Sequence, residues 1–297
     1  MIDHRSRPPG LADGVRAQLE QWPGAPSLVV VGAEGILGLH DADRVYRLAS
    51  VTKLLTALTV LQAAEQGDVS LDTPIGPPGS TLRHLLSHTS GLGFEEDEVK
   101  AAVGAKRIYS NRGIDLAAAC LSAHTGHPFE QELNERVLKP LGMDRTSLAG
   151  LPSKGGLAPI GDLAVLAREL LQPRILSGAV VGLLSGVAFQ GLSGILPGFG
   201  RQADNSWGLG AEMRGAKEPH WTSPRNSPAT FGHFGMAGSF LWVDRAAGLA
   251  CAGLSTVDFG PWATRIWPET SSAVLDSYRG FASGAAGLKA APGASAS

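Results

Sequence analysis

The chain has 297 residues, a formal charge of −2 and two cysteines. This length accommodates one large domain or two interleaved lobes around a sizeable core. No basic block is present, which argues against a nucleic-acid partner or binding to an anionic membrane surface. No apolar segment is long enough to span a bilayer, and the N-terminal residues lack the apolar stretch of a secretory signal. We therefore expect a cytoplasmic protein whose Cys120 and Cys251 are small buried side chains.

The first fifth of the chain combines one helix with short strands. Apolar residues three and four positions apart predict a helix over residues 11–22. Apolar runs at residues 27–32 and 35–39 predict a β-hairpin. Another short strand, residues 45–48, leads directly into Ser50.

Ser50 stands at the start of a helix that is apolar on nearly every side and ends near Gly67. Such a pattern indicates a buried helix. Lys53 lies three positions after Ser50, on the same face and about one turn away. A serine hydroxyl needs a neighbouring base to act as a nucleophile, and a lysine becomes a base when burial lowers its pKa. Taken alone, Ser-x-x-Lys is more often a helix cap followed by a surface lysine.

The middle of the chain is mainly helical. Periodic apolar residues predict helices over residues 81–88, 114–123, 129–138, 162–171 and 174–191.

Polar residues in this helical middle offer few other sites. His84 and His88 have a spacing compatible with zinc, but no third ligand accompanies them, so we expect helix capping and hydrogen bonding. We expect Glu95 and the three acidic residues after it to form a solvated patch. Ser153 and Lys154 lie in a glycine-rich loop that we expect at the surface.

The last third returns to strand patterns. A proline-rich loop over residues 218–230 precedes strands at residues 240–244 and 248–255 and a helix over residues 271–281. The simplest architecture is an α/β (α+β) fold in which the first and last strands form one antiparallel sheet flanked by helices, with a separate helical lobe. The predicted parts of this single domain are a sheet lobe of residues 11–68 and 207–282, a helical lobe of residues 69–206, and a disordered tail of residues 283–297.

Three short strings fall where these lobes would meet: Ser50-x-x-Lys53, Tyr109-Ser110-Asn111 and His233-Phe234-Gly235. In this order they resemble the motifs of the serine β-lactamase-like and penicillin-binding-protein-like family, in its class C β-lactamase and family VIII carboxylesterase branch. Supporting strings are Leu-Leu-Ser-His-Thr-Ser-Gly-Leu at residues 85–92 and Pro-Leu-Gly-Met at residues 140–143. The resemblance implies a β-lactamase/transpeptidase-like fold with its site in the cleft between the lobes.

The resemblance also implies roles for the catalytic residues. Ser50 would attack an ester or amide carbonyl and form an acyl-enzyme. Either Lys53 or Tyr109 would take its proton, and the choice between them stays open. A lysine ammonium beside Tyr109 would lower the pKa of the phenol, and Tyr109 would then activate water for deacylation.

Substrate-binding residues follow from the same resemblance. Asn111 would bind a substrate carbonyl or amide and orient Lys53. The backbone N–H groups of Ser50 and Met236 would form an oxyanion hole. Gly235 would leave room for the acyl group to approach the backbone.

His233 has two possible functions in this sequence. It would supply a polar edge beside Tyr109 or a substrate carboxylate, or it would be a buried histidine with a structural hydrogen bond. Phe234 stands where lactam-handling members usually carry a small residue, which gives the cleft an aromatic edge. No cofactor and no metal are expected.

We therefore expect a serine hydrolase, most simply a carboxylesterase acting on small acyl esters. The alternatives are a β-lactamase or D-amino-acid-recognising peptidase, an acyltransferase that uses the same acyl-enzyme, or a non-catalytic binding protein. The expected partner is a small ester, amide or lactam, and the oligomeric state is left open.

Overall fold

A computed structural model describes residues 8–280. The predicted tail and the last residues of the predicted sheet lobe lie outside the described residues. The strands are β1 Ser27–Gly32, β2 Gly35–His40, β3 Val45–Arg47, β4 Ser147–Leu148, β5 Gly156–Pro159, β6 Gly194–Leu196, β7 Gly200–Gln202, β8 Glu212–Met213, β9 Phe231–Gly235, β10 Ser239–Asp244 and β11 Leu249–Leu254.

Helices fill the middle of the chain and both faces of the main sheet. They are α1 Asp13–Leu19, α2 Thr52–Gln66, α3 Leu82–Leu86, α4 Asn111–Thr125, α5 Phe129–Leu133, α6 Lys139–Leu141, α7 Ile160–Leu171, α8 Gly178–Ser185 and α9 Pro261–Tyr278. A 3₁₀ turn, Ala49–Val51, precedes α2, and a π-helical turn, Asn134–Leu138, joins α5 to α6.

The main sheet has the strand order β2-β1-β11-β10-β9-β8, and its neighbouring strands pair antiparallel. Strands from the two ends of the chain therefore meet at its centre, where β1 pairs with β11. This arrangement confirms the predicted α/β (α+β) fold with an antiparallel sheet flanked by helices. A second, small sheet of β3, β5 and β4 and a hairpin of β6 and β7 complete the described strands.

Alternating side chains of the sheet supply two hydrophobic cores, one on each face. One core contains Val29, Val31, Leu241 and Val243 and is covered by α2, α7 and the helical region. The other contains Leu28, Val30, Phe240 and Trp242 and is covered by α1 and α9. Both faces of the sheet are therefore buried, which explains why its central strands are apolar throughout.

Helix α2 runs through the first core, and Leu54, Leu55, Leu58 and Leu61 on it are almost fully buried. It ends at Gly67, whose φ of 84° is the left-handed conformation that glycine adopts most easily. The prediction of a buried helix after Ser50 is confirmed.

Helix α8 is shorter than the predicted helix over residues 174–191. The buried Glu169 carboxylate accepts hydrogen bonds from the backbone N–H groups of residues 174–176 at 2.7–2.8 Å, which holds that segment as a loop. Ser177 then caps α8 by accepting from the Val180 N–H at 3.0 Å.

Helix α9 is longer than predicted, because it begins at Pro261 and continues through Pro268. Proline is well suited to the first turn of a helix but normally interrupts its interior, so the sequence pattern favoured a later start. Burial of Ile266 and Trp267 before Pro268, and of Val274 and Leu275 after it, in the second core favours the helix on both sides of this proline.

The division into two lobes remains our proposal. The packing of α7 concerns where the boundary between the two lobes lies. Although the predicted helical lobe includes residues 160–171, α7 packs against β1, β10 and β11 of the main sheet.

Within the described part of the chain, no helix combines the length and apolar character needed to cross a bilayer. Cys120 and Cys251 are buried free thiols, as predicted.

The packing of α2 leads to a prediction about the free energy of unfolding. Leu58→Ala should lower the free energy of unfolding by about 2–5 kcal/mol, because it leaves a cavity in the first core. Leu151→Ala is the matched control: Leu151 is 50% exposed, so its change should stay within about 0.5 kcal/mol. Urea unfolding followed by circular dichroism measures both, and equal costs would contradict the assigned packing.

Candidate active site

Ser50 lies in the 3₁₀ turn between β3 and α2 and is partly exposed. Its neighbour Ala49 has a φ of 43°, an uncommon value for a residue with a side chain. The α-helix begins two residues after Ser50, with Val51 at its N-cap. Ser50 therefore does not cap the helix, and its hydroxyl is available for other partners.

Lys53 is completely buried in the first turn of α2. Its Nζ donates to Ser50 Oγ at 3.0 Å, to Asn111 Oδ1 at 2.5 Å and to the Ser153 carbonyl at 2.8 Å. These three acceptors match the three hydrogens of an ammonium group. The structure thus brings Ser50 and Lys53 into contact, and Asn111 contacts the lysine that it was predicted to orient.

Burial dominates the electrostatics of Lys53. It lowers the pKa of the amine from 10.5 to about 7, while the charges of Asp115 and Glu95 raise it and that of Lys154 lowers it further. A large fraction of the amine is therefore neutral near pH 7 and able to accept a proton.

Glu95 anchors the amide of Asn111 from the loop before α4. One carboxylate oxygen of Glu95 accepts from Asn111 Nδ2 at 2.8 Å and from Lys154 Nζ at 2.8 Å. Burial raises the pKa of Glu95, but these two hydrogen bonds outweigh it and the pKa falls. Glu95 is exposed, in keeping with the expected solvated patch, but it also holds Asn111 through a loop contact that sequence spacing does not encode.

Ser153 is buried rather than on the surface, where the glycine-rich loop had suggested it. Its backbone N–H and hydroxyl donate to the two oxygens of Asp115 at 2.8 and 3.0 Å. This fixes the carbonyl that accepts from Lys53. Because the acceptor is a backbone atom, no residue type in the sequence could have signalled it.

Tyr109 is half-buried, and its hydroxyl is close enough to the Ser50 side chain for Ser50 to influence its pKa. Lys53 Nζ lies 4.8 Å from the centre of the Tyr109 ring. Burial raises the pKa of Tyr109, although the influence of Ser50 opposes this. The expected lowering of this pKa by a lysine ammonium was wrong, because desolvation of the phenolate dominates and Lys53 itself is partly neutral.

Two buried histidines pack around Tyr109. The centres of the His88 and His233 rings lie 4.7 and 5.8 Å from that of Tyr109. Burial and the charge of Lys53 lower the pKa of both, to about 3 for His233. Both rings are therefore neutral at pH 7.

Backbone contacts determine which nitrogen of each ring carries the proton. His88 Nδ1 accepts from the Ser110 N–H at 3.2 Å, so its neutral ring carries a proton on Nε2. His233 Nδ1 lies 2.7 Å from the Phe234 carbonyl and must donate to it, so Nε2 is an acceptor. His233 thus combines the two predicted placements, beside Tyr109 and in a structural hydrogen bond.

The predicted capping by His84 is confirmed, since its Nδ1 accepts from the Thr81 N–H at 3.2 Å. Among residues 8–280, no cluster of three histidine, cysteine or acidic side chains is arranged to hold a metal ion.

Gly235, at the end of β9, lies against the Ser50 turn. A Cβ there would collide with the Leu48 carbonyl oxygen and come within 2.5 Å of Ser239 Oγ and 2.9 Å of the Ser50 nitrogen. Only glycine therefore lets β9 approach the serine this closely. Met236 follows in the turn to β10, with its side chain 54% exposed.

A pocket of about 90 Å³ opens beside Ser50. Four of the predicted site residues line it: Ser50, Tyr109, His233 and Met236. The other three do not line it: Lys53 contacts Ser50, Asn111 contacts Lys53, and Gly235 lies against the Ser50 turn. The lining residues are Ser50, Phe94, Tyr109, Leu196, Pro197, Trp207, Glu212, His233, Phe234 and Met236. Phe234 packs largely into the second core, so Phe94 and Trp207 supply much of the aromatic character that was expected of Phe234.

Glu212 is a buried carboxylate in the wall of this pocket. It accepts from His220 Nε2 at 3.0 Å, Trp221 Nε1 at 2.8 Å and Lys217 Nζ. Burial raises its pKa, but Lys217 and His220 hold it at about 2. These contacts attach the loop that was predicted over residues 218–230 to β8, although the composition of the loop gave no sign of them.

An antiparallel sheet flanked by helices, with a serine and a lysine at the head of a buried helix, defines the β-lactamase/transpeptidase-like class of proteins. The family model described as β-lactamase matches residues 12–273. The chain belongs to the β-lactamase family, a family of serine hydrolases. The predicted family is therefore confirmed.

The chain is similar to known proteins whose activities differ. A solved structure of a β-lactamase from Mycobacterium bovis is 47% identical, with a TM-score of 0.87, and the match covers 89% of this chain and 99% of that one. The D-alanyl-D-alanine-carboxypeptidase/endopeptidase AmpH of Escherichia coli strain K12 is 31% identical over 38% of this chain and 39% of its own length. Esterase EstB of Burkholderia gladioli is 38% identical over 34% of this chain and 38% of its own length. The chain thus aligns with about two fifths of each curated relative.

The contacts of Glu95 predict opposite effects of two substitutions on Lys53. Glu95→Gln should lower the pKa of Lys53, because it removes a negative charge and keeps an oxygen for Asn111. Lys154→Met should raise this pKa, because it removes a nearby positive charge. Titration of ¹³C-labelled lysine side chains by NMR measures the pKa, and loss of the signal in Lys53→Met assigns it.

The matched control is Glu98→Gln, which removes a charge from the same acidic run. Glu98 pairs with Lys100 and does not contact Asn111, so the pKa of Lys53 should not change. Shifts in the same direction for the Glu95 and Lys154 variants would indicate structural disturbance and contradict the electrostatic account.

Proposed function

We propose that this protein is a serine hydrolase that forms an acyl-enzyme on Ser50 and acts as a carboxylesterase on small acyl esters. The observation that carries the proposal is the hydrogen bond of 3.0 Å between Ser50 Oγ and the buried amine of Lys53. Burial lowers the pKa of that amine to about 7, so a base stands beside the nucleophile.

In the acylation step, Ser50 Oγ attacks the ester carbonyl carbon and its proton passes to the neutral amine of Lys53. A new C–O bond forms as the carbonyl π electrons move to oxygen. Collapse of this intermediate breaks the bond to the leaving alkoxide, which takes up a proton. Tyr109 remains a neutral phenol because its pKa is raised, so it can donate to the leaving oxygen and be reprotonated from Lys53.

The oxyanion that forms on the carbonyl needs hydrogen-bond donors. The backbone N–H groups of Ser50 and Met236 are our candidates, because both residues line the pocket and the absence of a side chain at Gly235 lets the end of β9 lie against the turn that holds Ser50. Removal of one such donor typically costs about 10²–10³ in rate. Asn111 is the candidate contact for a polar group of the substrate.

In the deacylation step, water attacks the acyl-enzyme and gives up a proton to the same base. Because burial raises the pKa of Tyr109 and lowers that of Lys53, Lys53 is the better base for this step as well. Release of the carboxylic acid returns the proton to Ser50 Oγ and regenerates the free enzyme.

The size of the pocket favours small acyl groups. Its volume of about 90 Å³ is well below the roughly 300–1,000 Å³ of pockets that enclose drug-sized ligands. The aromatic walls from Phe94 and Trp207 suit the apolar end of such a group.

Lactam hydrolysis is the second candidate function. The observation in its favour is the 47% identity with the β-lactamase from Mycobacterium bovis, which extends over 99% of that chain. The same acyl-enzyme chemistry serves both substrates. Turnover of nitrocefin at a kcat/KM above that for short-chain aryl esters would favour this candidate over the esterase.

We expect Ser50→Ala to reduce hydrolysis of para-nitrophenyl acetate by about 10³-fold or more, because it removes the nucleophile. Intact-protein mass spectrometry of the unmodified sequence should show a transient acetyl adduct, which peptide mapping places on Ser50. Ser147→Ala, a change at an exposed serine, is the control and should retain full activity. An adduct elsewhere, or an active Ser50→Ala variant, would overturn the proposal.

The activity should depend on the protonation of Lys53. The neutral amine is the base, so kcat/KM should be low below the pKa of Lys53 and rise as the pH increases through about 7. A limb governed by His88 or His233 would lie at much lower pH, because burial lowers the pKa of both. A pH–rate profile with its acidic limb in that lower range would exclude Lys53 as the base.

A further inference from the structure

A second cavity, of about 470 Å³, adjoins the pocket beside Ser50. Phe94, Tyr109 and Pro197 line both cavities, so a substrate at Ser50 can extend from one into the other. One wall is the hairpin of β6 and β7, in which Ile195 is paired with Arg201. Paired residues in an antiparallel ladder share one face, and both line the cavity.

Four cationic residues and no acidic residue line this second cavity: Lys100, Lys106, Arg107 and Arg201. Two of these four residues already have partners within the protein. Lys100 forms an ion pair with Glu98, and the guanidinium of Arg107 donates to the carbonyls of residues 87, 188 and 189.

Lys106 and Arg201 are exposed and have no ion pair with any residue in the described part of the chain. Their charges therefore remain available to a ligand, and the planar guanidinium of Arg201 matches a carboxylate. Next to them, Ile195 is 66% exposed and Phe94 52% exposed. Apolar and cationic surfaces thus adjoin within one cavity.

Tyr109 indicates which part of a substrate would enter. It lines the same pocket as Ser50, and under the proposed function its hydroxyl donates to the leaving oxygen. The second cavity begins at Tyr109, whereas the smaller pocket extends from Ser50 towards His233 and Met236. The leaving alcohol therefore faces the larger, cationic cavity.

We propose that the natural substrates are esters of small acids whose alcohol portion carries an apolar spacer and a carboxylate, bound by Lys106 and Arg201. The inference rests on the proposed function and extends it to a substrate class. The apolar spacer would lie against Phe94 and Ile195, and the carboxylate would lie between the two free cations.

Two acetate esters of nearly equal leaving-group reactivity test this proposal. The acetate of para-hydroxyphenylpropanoate carries a carboxylate, and the acetate of para-hydroxyphenylpropanamide carries a neutral amide at the same place. We expect kcat/KM to favour the carboxylate by about tenfold, as two exposed ion pairs would give. The preference should shrink at about 0.5 M NaCl, because salt screens exposed charges.

Substitution connects the preference to the two cations. The double variant Lys106→Gln and Arg201→Gln should reduce the carboxylate-to-amide ratio to about one. Lys139→Gln removes a charge from a distant exposed lysine paired with Glu135, and its ratio should stay at the value of the unmodified protein. An unchanged ratio in the double variant would overturn the proposal.

A second pair of esters tests the assignment to the alcohol side. Phenyl hydrogen glutarate and the phenyl ester of glutaramic acid carry the carboxylate or amide on the acyl part instead. A charge preference confined to this acyl pair would overturn the assignment. If the neutral acetate is hydrolysed through Ser50 and no pair shows a preference, only this inference fails. If no ester is hydrolysed, the proposed function fails with it.

Discussion

The site depends on the burial of one amine. An isolated ammonium in a protein interior carries a large desolvation cost, and Lys53 is completely enclosed at the head of α2. Its three acceptors come from the adjacent turn, from α4 and from the loop before β5. Three hydrogen bonds thus stabilise the charged form of the amine, while desolvation destabilises it. The balance of these effects brings the pKa of Lys53 close to neutral pH, as a general base requires.

The distribution of these acceptors means that local sequence cannot assemble the site. Asn111 reaches Lys53 only when α4 packs against α2, and Ser153 only when its loop is fixed by Asp115. On the opposite side, β9 approaches Ser50 because Gly235 has no side chain. The main sheet and the helical region thus each supply one wall around a single serine.

Much of this was visible in the sequence, because the helix period and the motif spacing are local properties. They predicted the buried α2 and the antiparallel sheet, while the grouping of Ser50, Lys53, Tyr109 and Asn111 followed from the resemblance of the three motifs to the β-lactamase-like family. The contribution of Glu95 was not visible, because it depends on a loop folding back over 16 residues to meet Asn111. The start of α9 was missed because core burial outweighs the local effect of Pro268.

The fixed ring protons of His88 and His233 have a consequence for the charge of the pocket as a whole. Neither histidine ionises near neutral pH, Tyr109 stays protonated, and Glu212 stays ionised against Lys217 and His220. Between mildly acidic and mildly alkaline conditions, Lys53 changes its charge while these four groups keep theirs. The electric field that Lys53 imposes on Ser50 is therefore that of an ammonium at the acidic end of this range and that of a neutral amine at the alkaline end.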